Sequence, residues 1–364
     1  MKRPRLRRFL LWSAGALLVL LLLLGATLWF LLGTQGGTRF LFTRLGALMP
    51  GSFKVDQLNG PIRGPLDIHG LVYERDGLTM RIDHVQLEWR LTDLLSRRLD
   101  IQKLYASGVR IIPTPSKEPA KKGPLPDINL RFNIAVHDAR VTDLQIAAPG
   151  QQPFVVDRID LVTRETGGRF QIERFTVRSP MIDAAASGTF QPRGDYPVDL
   201  QTQWAVRPPG MSAAFSGRGP LTGTLEKLQV SQILTAPFPA RLNTTLTEPL
   251  NNLRFDGRLM FSDFNPRLIK ADLPDVPASG EVQIQGNMDS FASSGTVRGD
   301  LKNVPGMADV GPVAVAYKAA RESGDRWKID SATVTFPGTA TRIEANGLIT
   351  APTGKPVTLD VAAR

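Results

Sequence analysis

The sequence predicts a mostly β protein: an N-terminal transmembrane helix, then an elongated, curled β-sheet groove of repeat-like strands with one or two short helices. Three observations carry this. A single uncharged, Leu-rich run near the N-terminus is long enough to cross a bilayer. From residue 53 onward apolar residues recur with period two, as in half-buried strands. Finally, 33 Gly and 28 Pro among 364 residues cut that pattern into short pieces, as the turns of an all-β chain do.

Residues 1–8 form a basic tail. Lys2, Arg3, Arg5, Arg7 and Arg8 supply half of the net charge of +10, so the excess is a topology signal rather than a nucleic-acid footprint. Residues 9–32, from Phe9 to Leu32, carry no charge. As a helix they would be about 36 Å long, enough to span the membrane. Trp12 and Trp29 sit near the two ends, where interfacial aromatics belong. The run ends without small residues of A-x-A type, so it reads as an uncleaved signal anchor rather than a cleaved peptide. The positive-inside rule then leaves the N-terminus in the cytoplasm and sends the bulk of the chain across the membrane. Residues 33–50 read as a short amphipathic helix capped by Thr38 and ended by Pro50-Gly51. Two readings of it stand: an interfacial helix against the membrane, or a cap over the open end of the following fold.

The strands come next. Residues 51–112 form a first β segment, in which Leu87 and Trp89 follow Val85 on one parity. Only residues 92–98 look helical there. Residues 113–126 hold five Pro with Lys117, Lys121 and Lys122, the composition of an exposed extended loop. Residues 127–364 continue the β pattern to about twenty strands in all. Gly recurs at strand edges, as in Ala186-Ser187-Gly188 and Gly280-Glu281-Val282. Stacked hairpin units would produce that spacing, and so would a sandwich with Gly at its turns. At about 4.8 Å per strand, twenty strands side by side would make a trough of roughly 95 Å. Leu87, Trp89, Ile182, Ala184, Val282, Ile284, Val334 and Phe336 lie on the apolar parity of their segments and are the expected lining.

Composition narrows the chemistry. At 42 % hydrophobic and 21 % charged the chain is too apolar to be mostly disordered. It has no Cys, which excludes disulfides, thiolate metal sites and Cys nucleophiles. The three His, at 69, 84 and 137, are scattered along the chain, so no metal centre is expected. Asp83 and His84 are adjacent and would point to opposite faces of a strand, a poor dyad. No nucleophile elbow, phosphate loop or H-E-x-x-H occurs. No enzyme activity, catalytic residue or cofactor is expected, and no nucleic-acid partner.

The segment Val55-Asp56-Gln57-Leu58-Asn59-Gly60-Pro61-Ile62-Arg63-Gly64-Pro65-Leu66-Asp67-Ile68-His69-Gly70-Leu71 resembles the opening of the TamB family, within the AsmA-like envelope proteins. Val85-Gln86-Leu87-Glu88-Trp89, Leu99-Asp100-Ile101-Gln102-Lys103-Leu104 and Gly194-Asp195-Tyr196-Pro197-Val198-Asp199-Leu200 fit as well. The resemblance implies a single-pass inner-membrane protein with a periplasmic β domain. It is similar to bridge-like lipid-transfer proteins, and implies outer-membrane biogenesis with the barrel protein TamA. Family members are longer, and the portion associated with TamA lies at their C-terminus, which nothing here matches. An N-terminal part of such a protein is therefore expected.

Two functional classes remain. One is a conduit that carries phospholipids from the inner membrane toward the outer membrane through an apolar groove, where each buried CH₂ contributes about 0.8 kcal/mol without specific contacts. The other is a scaffold for the translocation and assembly module, whose strand edges assist insertion or secretion of outer-membrane β-barrel and autotransporter proteins by β-augmentation.

Overall fold

The structure, a computed structural model, describes residues 30–48, 51–114, 133–147, 152–211, 213–249, 252–269, 271–307, 309–321, 326–350 and 358–363. Among these are nineteen strands, one α-helix and two short 3₁₀ turns. The topology residues Lys2 to Arg8, the anchor residues Phe9, Trp12 and Trp29, and the Pro/Lys-rich stretch beyond Thr114 lie outside the described residues. Among the described residues no helix is long and apolar enough to cross a membrane. The chain divides into two compact units, Met1–Lys121 with Arg131–Glu165, and Lys122–Leu130 with Thr166–Arg364. One of its boundaries, between Glu165 and Thr166, falls at the end of a strand.

The first unit holds β1 (Ser52–Asn59), β2 (Leu66–Arg75), β3 (Leu78–Arg90), β4 (Arg98–Pro113), β5 (Asn133–Ile146) and β6 (Phe154–Thr166). Neighbours pair antiparallel except β4 and β5, which run parallel from Arg98 opposite Asn133. A parallel pair cannot be joined by a hairpin. The expected helix over residues 92–98 is a 3₁₀ turn, Leu91–Ser96.

Helix α1 (Gln35–Leu48) docks on this sheet. Its cap differs from the expectation. The Gly37 N–H donates to Thr34 Oγ1 at 3.1 Å, so Thr34 caps the helix and Thr38 lies inside it. Thr38 is fully buried; its hydroxyl donates to Thr34 O and accepts the Ile62 N–H, both at 3.0 Å. Phe42 packs on the core formed by Leu58, Leu66, Ile68 and Val85, with Leu87 and Leu104 alongside. Fully burying an aliphatic side chain is worth about 1.5–3 kcal/mol. At these contacts the helix acts as a cap on the sheet.

One feature of this sheet breaks simple alternation. The apolar face carries Leu58 and Val55 on β1, Ile68 and Leu71 on β2, Val85 and Ile82 on β3, and Ala106 and Val109 on β4. Each pair is three residues apart, where a regular strand needs two or four. The side chains therefore change parity along a single row, Asp56–Gly70–Asp83–Gly108–Asp143. Gly70, Gly108 and Asp143 have φ of 63°, 65° and 54°. A Cβ on Gly70 would lie 2.0 Å from Asp56 Oδ2, and one on Gly108 would lie 2.2 Å from Asp83 Oδ2. Neighbouring carboxylates thus fill the space that the glycines leave.

The second unit is an antiparallel meander: β7 (Arg169–Arg178), β8 (Ile182–Phe190), β9 (Pro197–Val206), β10 (Phe215–Thr224), β11 (Lys227–Ala236), β12 (Ala240–Thr247), β13 (Arg254–Phe264), β14 (Ala278–Asn287), β15 (Phe291–Asp300), β16 (Pro312–Arg321), β17 (Arg326–Thr335), β18 (Arg342–Thr350) and β19 (Thr358–Ala363). Every strand pairs with the next in sequence. Thirteen strands at about 4.8 Å make a sheet roughly 60 Å across.

Candidate functional site

Strand geometry sends alternate side chains to opposite faces, and the register shows which of them share a face. In the second unit Ala184 lies opposite Trp204, which lies opposite Gly217, which lies opposite Leu234. Leu242 faces Leu259, and Leu259 faces Val282. Val282 faces Gly295, which faces Tyr317, and Val334 lies between Val315 and Ile343. One face is therefore apolar across the meander. The other carries residues such as Gln201, Arg218, Ser231, Asn243, Arg258 and Gln283, with Arg258 Nε 3.1 Å from Glu281 Oε1.

Ile182, Ala184, Val282, Ile284 and Val334 all lie on this apolar face, while Phe336 follows the end of β17. Leu87 and Trp89 belong to the first unit. Leu87 packs on the core beneath α1, and the Trp89 indole N–H donates to Ile62 O. All eight are half-buried.

Many glycines of these strands fall on the apolar face, and several lie directly opposite an aromatic. Gly217 faces Trp204, Gly280 faces Phe261, Gly286 faces Phe291, and Gly295 faces Tyr317. A Cβ on Gly217 would lie 2.8 Å from Trp204 Cζ2, and one on Gly280 would lie 3.3 Å from Phe261 Cζ. Glycine in a strand marks such close approach. These rings lie close over the neighbouring backbone instead of standing upright.

Aromatic clusters border the face at both strand ends. Phe215, Phe238, Phe261 and Phe264 meet edge to face at centroid distances of 5.1–6.3 Å. At the opposite ends Phe255, Phe291 and Trp327 form a chain at 6.0 and 5.3 Å. Gln232 is the buried polar residue within the face, and its amide is satisfied. Its Oε1 accepts the Trp204 indole N–H at 2.9 Å, and its Nε2 donates to Thr202 Oγ1 at 3.1 Å. An open hollow of about 810 Å³ on the other side is bordered by Met260, Glu281, Gln283, Thr296, Arg298 and Lys318; that lining does not suit an acyl chain. The apolar face does: an aliphatic strip with no buried polar demand left open at Gln232.

A second cluster was missed in the sequence. His69 pairs directly with His84 across β2 and β3. Their rings stack at 4.3 Å, and Asp67 reaches both. The hydrogen bond from His84 holds the Asp67 carboxyl below the usual range. The signal was present: Asp76-Gly77 is a two-residue hairpin turn, and such a turn fixes the register of both strands. His137 stands elsewhere, 3.1 Å from Asp100.

No curated protein and no solved structure matches the chain. A family model described as "TamB, N-terminal domain" matches residues 23–124 and 113–309. Those two stretches take in α1, the parity-reversing sheet of the first unit and the Gly–aromatic face of the second through β15, well over half of the sequence, and on that footing the chain belongs to the TamB family.

Proposed function

We propose that this protein is an inner-membrane-anchored periplasmic conduit, not an enzyme, and that phospholipid acyl chains move along its apolar sheet face toward the outer membrane. The observation that carries this reading is the face itself. Its aliphatic side chains remain half-exposed across the meander, and each CH₂ of an acyl chain laid on it would gain about 0.8 kcal/mol. Headgroups would stay in water beyond the aromatic borders.

Anchoring is supported at one end of the first sheet. The apolar run of residues 9–32 ends where the Arg63 N–H donates to Leu32 O at 3.0 Å. The same strand ends carry the turn with Leu95, 92 % exposed, beside the exposed Arg90, Arg97 and Arg98. An apolar tip flanked by arginines suits a phospholipid surface.

The test is Ile284, which lies between Gly257 and Ser293 on the apolar face. A photoreactive residue at 284 in the otherwise unchanged protein should crosslink to lipid. Ile284→Arg should stay folded and lose lipid transport, because an open face can solvate the cation while the apolar path is broken. An unfolded Arg variant without lipid crosslinks at 284 would make this residue ordinary core. Crosslinks to barrel or autotransporter polypeptides instead would favour the assembly-scaffold reading.

A further inference from the structure

Asp67, His69 and His84 gather one carboxylate and two imidazoles on the polar face of the first sheet, with ligand-type atoms within 4.8 Å of one another. The arrangement is built by backbone pairing. Asp67 and His69 are two apart on β2 and so share a face, and His84 is the cross-strand partner of His69. Asp67 Oδ2 is 3.1 Å from His84 Nε2, and Oδ1 is 2.6 Å from His69 Nε2. Oδ1 is shielded from solvent and makes no hydrogen bond of good geometry. The three side chains are 30–45 % exposed, so the cluster as a whole is reachable from water.

We propose that Asp67, His69 and His84 bind a divalent transition metal of the zinc class. Two imidazoles and one carboxylate form a nitrogen- and oxygen-rich set that zinc, copper(II) and nickel(II) accept, with water completing the coordination. The rings lie 8° from parallel, so their lone pairs run side by side. Metal binding turns one ring about its Cβ–Cγ bond until both nitrogens converge, a rotation open to half-exposed side chains. The bound ion would clamp β2 to β3 beside the row where the strands change parity. It rests on β2–β3 pairing alone and is independent of lipid transport.

The full chain, purified in detergent and stripped with chelator, is titrated with Zn²⁺ against a chromophoric competitor, and separately with Co²⁺. One equivalent of Zn²⁺ is expected, with visible Co²⁺ bands of a four-coordinate site. His84→Gln, His69→Gln and Asp67→Asn should each weaken Zn²⁺ binding at least tenfold. His137→Gln should leave it unchanged. Zn²⁺ should raise the melting temperature of the unmodified protein and not that of His84→Gln, and this comparison also reports whether the variant is folded. Equal Zn²⁺ affinity in the unmodified protein and His84→Gln, or no Co²⁺ band, overturns the proposal and leaves the three residues as an ion-pair network only.

Discussion

Trp204 and Gly217 show how a single missing Cβ shapes the apolar face. The ring occupies the space above the glycine, and a methyl there would meet Cζ2 at 2.8 Å and Ile233 O at 3.0 Å. Neither neighbour can yield easily: the backbone is in the ladder, and the indole N–H is held by Gln232. Gly217→Ala should therefore destabilise the protein by about 1–3 kcal/mol, the usual cost of overpacking. Gln203→Ala, on the polar face, should stay within about 0.5 kcal/mol. Urea unfolding midpoints compare the two; equal midpoints would mean that the ring moves aside without cost. The Gly spacing was legible in the sequence. That these glycines share one face, under aromatics from the adjacent strand, was not, because the partner residue is set by cross-strand register.

Among the strands of the first unit, the row from Asp56 to Asp143 is the feature that local alternation could not foresee. In Ile82-Asp83-His84-Val85 the apolar residues are three apart, which reads as an interrupted pattern. The neighbouring strands reverse at the same row, so the reversals agree and the apolar face continues. Gly108→Ala tests the row. At φ +65° an alanine carries about 1–2 kcal/mol of strain, and its Cβ also meets the Asp83 carboxylate. Asp83→Ala alone removes an exposed pair with Arg110 at 3.2 Å, which costs up to about 1 kcal/mol. Combined, the two changes should cost less than their sum by about 0.5 kcal/mol or more, since the second removes the group that the first collides with. Strict additivity in a denaturation cycle would refute the contact. Helix α1 follows the same logic: its existence is written in the apolar run of Phe40, Leu41 and Leu45, whereas the burial of Thr38 depends on the β1–β2 loop, whose Ile62 N–H it accepts.

For the proposed anchoring to a membrane, the turn at Leu95 is the informative place. The chain has no Cys, so Leu95→Cys and Arg298→Cys can each be labelled with a polarity-sensitive fluorophore. In vesicles containing anionic lipid, emission from position 95 should shift to shorter wavelength while position 298, on the polar face of the second unit, stays water-like. Water-like emission at both would separate the turn from the bilayer. The β class, the apolar N-terminal run and the kinship with the TamB family are all readable from the order of residues, because alternation, hydropathy and turn chemistry are local properties of the chain. Tertiary structure decided the rest: the parallel β4–β5 pair, the parity reversal, the glycines gathered under aromatics and the meeting of His69 with His84. Each depends on which backbone groups pair across strands, and a one-residue difference in that pairing would send every side chain of a strand to the opposite face.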